Sequence, residues 1–142
     1  MVRRGQQAKR ETKRAQKELE RDIEESRGAY RPAPREHCVE RERIFAIDDG
    51  FEFRVQLRYW RLEGKTTEFV YLFQRRVWDD WENVARIDCS NHGSCHIHDP
   101  DEESPTEHLV RLDSIEDVPK AMRIAQDRAS TMFNEMTRGE AA

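Results

Sequence analysis

One stretch of twelve residues constrains this chain more than any other. In FEFRVQLRYWRL, residues 51–62, the side chains of Phe51, Phe53, Val55, Leu57 and Tyr59 alternate with those of Glu52, Arg54, Gln56, Arg58 and Trp60. A period of two puts successive side chains on opposite faces of a strand, so this segment predicts a strand with one buried side. The preceding run, about Arg43 to Ile47, joins it through DDG, and the following run, about Thr67 to Val77, follows EGK. Both connections have hairpin chemistry. WDDW then turns the chain into a run from Glu82 to Cys89, and SNHG turns it into Ser94 to His98. Five antiparallel strands result, with a sixth at His108 to Leu112 as the upper count.

The period changes again near the C-terminus. Val118, Ala121, Met122, Ala125, Ala129, Met132, Phe133 and Met136 mark one face of a helix running from about Asp117 to Met136. Such a stripe packs on a core. Ser114 or Asp117 is placed to cap it, and the residues TRGEAA after it are expected to fray. The predicted fold class is therefore α+β: a curved antiparallel sheet of five to six strands packed against a C-terminal helix, with a charged N-terminal helix in front. That helix comes from residues 3–28, which are rich in helix formers but carry only Ala8, Ala15, Leu19 and Ile23 as a thin apolar stripe. Pro32 and Pro34 favour an extended linker after it. The expected organisation is residues 1–36 as a charged, partly flexible helix and linker, 37–137 as the folded domain, and 138–142 as a disordered tail.

Charge is uneven. The net charge of the 142 residues is −4, yet seven Lys/Arg stand against one acid between Met1 and Lys17, while DPDEESPTE, residues 99–107, holds five acids and no base. The first segment suits phosphates or an acidic partner, and the second repels nucleic acid or attracts a basic partner. No apolar run approaches the roughly 20 residues of a membrane span, which sets the expectation of a cytoplasmic protein with no membrane partner. Three cysteines, Cys38, Cys89 and Cys95, do not read as a disulfide scaffold.

RIDCSNHGSCHIHD, residues 86–99, concentrates the residues with chemistry. The spacing C-x2-H-x2-C-H-x-H suggests zinc, with Cys89, His92 and Cys95 as the ligands that could meet round the turn. Strand alternation argues for a different division. Ala85, Ile87 and Cys89 share one side with Cys95 and Ile97, whereas Arg86, Asp88, His96 and His98 share the other. Two imidazoles can divide general acid and general base roles, an arginine can stabilise an oxyanion, and an aspartate can orient a ring. The expected catalytic set is His96, His98, Arg86 and Asp88, with His92 on the turn and no cofactor; zinc on Cys89, His92 and Cys95 is the alternative. The bland counterpart is a solvated polar hairpin with two core thiols. Trp60, Trp78 and Trp81 among arginines could stack bases, though such aromatics more often form the core and rim of a small sheet.

These pieces, RID at 86–88, HG at 92–93, HIH at 96–98 and SIEDV at 114–118, resemble the TumE-type toxins of prokaryotic toxin–antitoxin pairs and their relatives. The resemblance spans roughly residues 44–135. It implies RNA or translation as the target, and a small helix-turn-helix antitoxin as the partner. The long basic N-terminal helix and the cysteines Cys89 and Cys95 depart from that pattern, which leaves room for a phage-type relative. The expected function is toxin-like action on RNA by metal-independent phosphodiester cleavage or nucleotidyl transfer. The competing readings are a non-enzymatic interaction module for protein or nucleic acid, and a small zinc-binding module. A homo-oligomer is compatible with all three.

Overall fold

A computed structural model describes residues 4–25, 27–90, 93–99 and 105–140. It contains a helix α1 (Arg4–Glu25), strands β1 (Val39–Ala46), β2 (Phe53–Leu62), β3 (Lys65–Val77), β4 (Asp80–Ser90), β5 (Ser94–His98) and β6 (Pro105–Arg111), and a helix α2 (Asp117–Glu140). The strands form one antiparallel sheet whose spatial order is the chain order, β1 to β6. Each strand after β1 thus pairs with the one that precedes it in the chain. At the two-residue β2–β3 turn, Glu63 (φ 52°) and Gly64 (φ 79°) are both in the left-handed region, as a type I′ turn requires. At the β3–β4 turn it is Trp78 that takes a positive φ, 58°.

The alternation in β2 works as the sequence predicts. Phe53, Val55 and Leu57 are buried on one side of the sheet, and they meet Phe69, Tyr71 and Phe73 of β3, then Ala85, Ile87 and Cys89 of β4, and Cys95 and Ile97 of β5. α2 covers this side with Val118, Ala121, Ala125 and Ala129, all fully buried or nearly so. The three alanines sit one helical turn apart, so a smooth stripe of methyl groups lets the helix approach the bulky sheet residues closely. Phe53 is the hub of the aromatic packing, stacked on Phe73 at 5.8 Å and edge-on to Phe133 of α2 at 5.2 Å. Register shifts at Trp60/Arg61, Phe73/Gln74, Cys95/His96 and Ile97/His98 bend the strands and curve the sheet.

The sixth strand begins three residues earlier than the sequence suggests, at Pro105, and α2 runs on through Glu140. Asp117 is the first residue of α2, but its carboxylate reaches backwards. Its Oδ2 accepts from the backbone N–H groups of Asp113 (2.9 Å) and Ser114 (3.1 Å) and so fixes the approach to the helix.

The segment after α1 does not hang away from the sheet. Gly28 N donates to Gly93 O at 2.9 Å, Leu112 N donates to the same oxygen at 2.7 Å, and Tyr30 N donates to Leu112 O at 3.1 Å. This strap passes so close that a Cβ on Gly28 would lie 1.8 Å from Leu112 O, and one on Gly93 (φ 68°) would lie 2.3 Å from Gly28 O. Only glycine fits at either place. Further on, Tyr30 donates its hydroxyl to Thr67 O (2.5 Å), and Arg35 both pairs with the buried Glu68 (2.7 Å) and lies 3.9 Å above the Trp60 ring. Residues 28–35 therefore belong to the folded unit, whereas every described side chain of α1 is exposed. No helix among the described residues is long and apolar enough to cross a membrane.

Candidate functional site

Two neighbouring strands assemble the histidine cluster. In β4, Arg86 and Asp88 are two residues apart and point to the side of the sheet away from α2; in β5, His96 and His98 do the same. The antiparallel register sets Asp88 opposite His96 and Arg86 opposite His98. The result is a compact group. Asp88 Oδ1 lies 3.3 Å from His96 Nε2 and 3.4 Å from His98 Nε2, while Arg86 Nε lies 3.1 Å from the other oxygen, Oδ2. The two imidazole rings meet edge to face with centroids 4.3 Å apart. Ser94, two residues before His96 on the same side, places its Oγ 3.2 Å from His96 Nδ1.

The structure brings together four of the five residues expected from the sequence, and His92 lies outside the described residues. It also corrects one expectation about them. The face away from α2 is not open at the histidines, because His96 and His98 are each only 4% exposed and Ser94 is fully buried. β5 is an interior strand, with β4 on one side and β6 on the other, so neighbouring strands flank both rings. Arg86 is the member that reaches outward, with 32% of its side chain exposed against 14% for Asp88. Arg86 Nε, Asp88 Oδ1 and both ring nitrogens of His98 are buried with no hydrogen-bond partner among the described residues.

Cys89 and Cys95 face the other way. They are directly opposite one another across β4 and β5, inside the core beneath α2. Burial pushes the Cys89 thiol up to about 12 and raises that of Cys95 as well, so both are protonated thiols at neutral pH. Sulfur on one side of the sheet and imidazole on the other cannot serve one ion. The described metal-compatible group is Asp88, His96 and His98, whose ligand atoms all lie within 4.8 Å of one another.

No known protein family, curated protein or solved structure matches this chain. The cluster is accordingly read from its own geometry.

Two residues near the cluster escaped the sequence reading. Ser94 opens the predicted strand Ser94 to His98 without entering the candidate set, although its parity with His96 and His98 already puts it on their side. His108 of β6 lies across from His96, and burial holds its pKa below the ordinary histidine value; the register shifts between β5 and β6 hid that pairing. Of the three tryptophans, Trp78 is exposed and the other two are committed elsewhere. Trp60 is buried beneath Arg35, and Arg54 lies 4.2 Å above Trp81. A concavity of about 480 Å³ lies away from the cluster, between β1–β3 and α2, lined by Arg43, Phe45, Leu57, Tyr71, Met122 and Arg123.

Proposed function

We propose that this protein acts on phosphodiester bonds of RNA in the manner of a toxin from a toxin–antitoxin pair, with Arg86, Asp88, His96 and His98 as its chemical centre. The observation that carries this reading is the convergence of two imidazoles on one carboxylate oxygen, 3.3 and 3.4 Å away, beside a guanidinium that reaches the surface. Arg86 is placed to bind a phosphate oxygen and to stabilise charge that develops on it. Asp88 Oδ1 places its negative charge beside Nε2 of both rings. His98, whose two nitrogens have no hydrogen-bond partner, is the ring with capacity for a proton or another ligand. A small helix-turn-helix protein is the partner that the resemblance suggests.

The test is induced expression in a bacterial host, with growth and RNA ends followed together. The expected result is growth arrest with new RNA termini, both lost in His98→Ala and in His96→Ala/His98→Ala variants whose circular dichroism is unchanged. Arrest that persists in those folded variants, or arrest with intact RNA, overturns the reading.

A second reading has its own observation. α1 is exposed at every described side chain and carries Lys9, Arg10, Lys13, Arg14 and Lys17, which suits a docking arm for an acidic protein or a nucleic acid. Replacing Lys9, Lys13 and Lys17 with Glu in the full chain leaves the sheet unaltered and, on this reading, abolishes partner capture. Capture that survives the reversal excludes it.

A further inference from the structure

We infer that Asp88, His96 and His98 form a site for one divalent transition-metal ion, bound through Asp88 Oδ1 and Nε2 of each ring, with a fourth position left for an outside ligand.

The distances favour an ion over a hydrogen-bonded triad. Charge-assisted N–H···O bonds run to about 2.7–2.9 Å. Here Asp88 Oδ1 stands 3.3 Å from one ring nitrogen and 3.4 Å from the other, and neither Asp88 Oδ1 nor His98 Nε2 has a hydrogen-bond partner. Two ligands bound at about 2.0–2.2 Å to a tetrahedral ion are separated by about 3.4 Å. These two spacings match two edges of a coordination tetrahedron, and the three ligand atoms all lie within 4.8 Å of one another. Buried polar atoms without partners are rare in folded proteins and call for a cause. A shared cation supplies one for Asp88 Oδ1 and His98 Nε2 together.

The surroundings are those of a ligand set held in place. With Nε2 of His96 turned to the ion, its Nδ1 carries the proton and donates to Ser94 Oγ at 3.2 Å, which fixes the ring's tautomer and plane. Arg86 Nε forms an ion pair with the opposite oxygen of Asp88, at 3.1 Å, and leaves Oδ1 on the side of the rings. The strand geometry does the rest, since H-x-H puts both imidazoles on one face and the register sets the carboxylate across from them.

Ligand chemistry narrows the ion. Two imidazole nitrogens and one carboxylate oxygen suit zinc or a neighbouring first-row ion, whereas magnesium and calcium prefer oxygen alone. Three protein ligands are also the number that leaves a coordination position open for water or a phosphate oxygen. That last step, a phosphate on the ion, rests on the phosphodiester reading given above; binding of the ion does not. With an ion seated, the Nε2 atoms are ligands and cannot shuttle protons, so the expectation of a metal-independent acid–base pair gives way to metal-assisted chemistry.

The experiment uses the full chain, stripped with a chelator and titrated with Zn²⁺ by calorimetry and with Co²⁺ by visible absorption. One equivalent of Zn²⁺ is expected, together with a Co²⁺ band of tetrahedral intensity and a thermal midpoint that rises with free Zn²⁺. Asp88→Asn and His98→Ala each abolish saturable binding, and Ser94→Ala weakens it about tenfold or more. Cys89→Ala and Cys95→Ala leave it intact, and Mg²⁺ does not compete. Folding of each variant is checked by circular dichroism. Absence of stoichiometric Zn²⁺ binding, binding that survives in folded Asp88→Asn and His98→Ala, or binding lost in the cysteine variants overturns the site. Failure of the phosphodiester reading has a separate signature: Zn²⁺ binds as expected while RNA stays intact.

Discussion

Replacing Gly28 with alanine tests the strap that joins the N-terminal segment to the sheet. A Cβ there would lie 1.8 Å from Leu112 O and 2.4 Å from Leu112 C, and both are backbone atoms with no rotamer to yield. The strap must lift. Lifting it removes the bond from Gly28 N to Gly93 O and that from Tyr30 N to Leu112 O, and it loosens Ala29 N on Asp113 Oδ1 and Tyr30 Oη on Thr67 O. At about 0.5–1.5 kcal/mol net for each bond, the loss comes to roughly 2–4 kcal/mol. For a chain of this length that corresponds to a fall in thermal midpoint of about 5–15 °C. Gly50→Ala is the control, because its Cβ would meet nothing closer than 3.5 Å and its backbone is not left-handed. Urea unfolding of both variants beside the parent chain gives the comparison. Gly93→Ala, which breaks the same contact from the other side, should add less than its separate cost when combined with Gly28→Ala. A Gly28→Ala midpoint equal to that of Gly50→Ala would show that the strap contributes nothing to the fold.

Trp78 is 91% exposed and holds φ at 58°, so Trp78→Gly relieves strain at almost no cost in packing and should raise the urea midpoint by the equivalent of about 1 kcal/mol; an unchanged or lower midpoint contradicts this. Burial raises the Cys89 thiol from 9.0 to about 12 and the Tyr30 and Tyr71 phenols from 10.0 to about 12. Above pH 9 the unfolded chain binds fewer protons than the folded one at these groups, so stability is intact below that pH and declines toward pH 12. Urea midpoints measured from pH 8 to 11 should show the decline, and Cys89→Ala should make it shallower. In the native state, thiol reagents should reach Cys38 ahead of the buried Cys89 and Cys95.

The sheet was legible in the chain because alternation carries parity, and parity alone assigns a side. Phe53, Val55 and Leu57 declared the core side of β2, and the same rule placed Cys89 and Cys95 opposite to Asp88, His96 and His98 before any coordinates. Parity says nothing about depth. His96 and His98 are polar residues on the side away from α2, which reads as solvent, yet they lie on an interior strand and are shielded there. Parity also fails wherever a bulge resets it. The shifts at Cys95/His96 and Ile97/His98 concealed the approach of His108 and moved the start of β6. The strap was hidden for another reason. Pro32 and Pro34 announce extended backbone, but whether extended backbone wanders or docks depends on a partner far along the chain, here Gly93 and Leu112.

β1 lies at the edge of the sheet and reads Glu40, Arg41, Glu42, Arg43, with the acids on one side and the bases on the other. Any two-fold pairing of this edge with itself is antiparallel and sets residues of the same side opposite each other. Acid then confronts only acid or an apolar neighbour, and base never meets acid, whichever register is tried. Like charges in direct opposition destabilise a strand pair. The alternating charges therefore act as a parity check written along the edge: the strand accepts β2, where Glu40 finds Arg58 and Glu42 finds Gln56, and rejects its own copy.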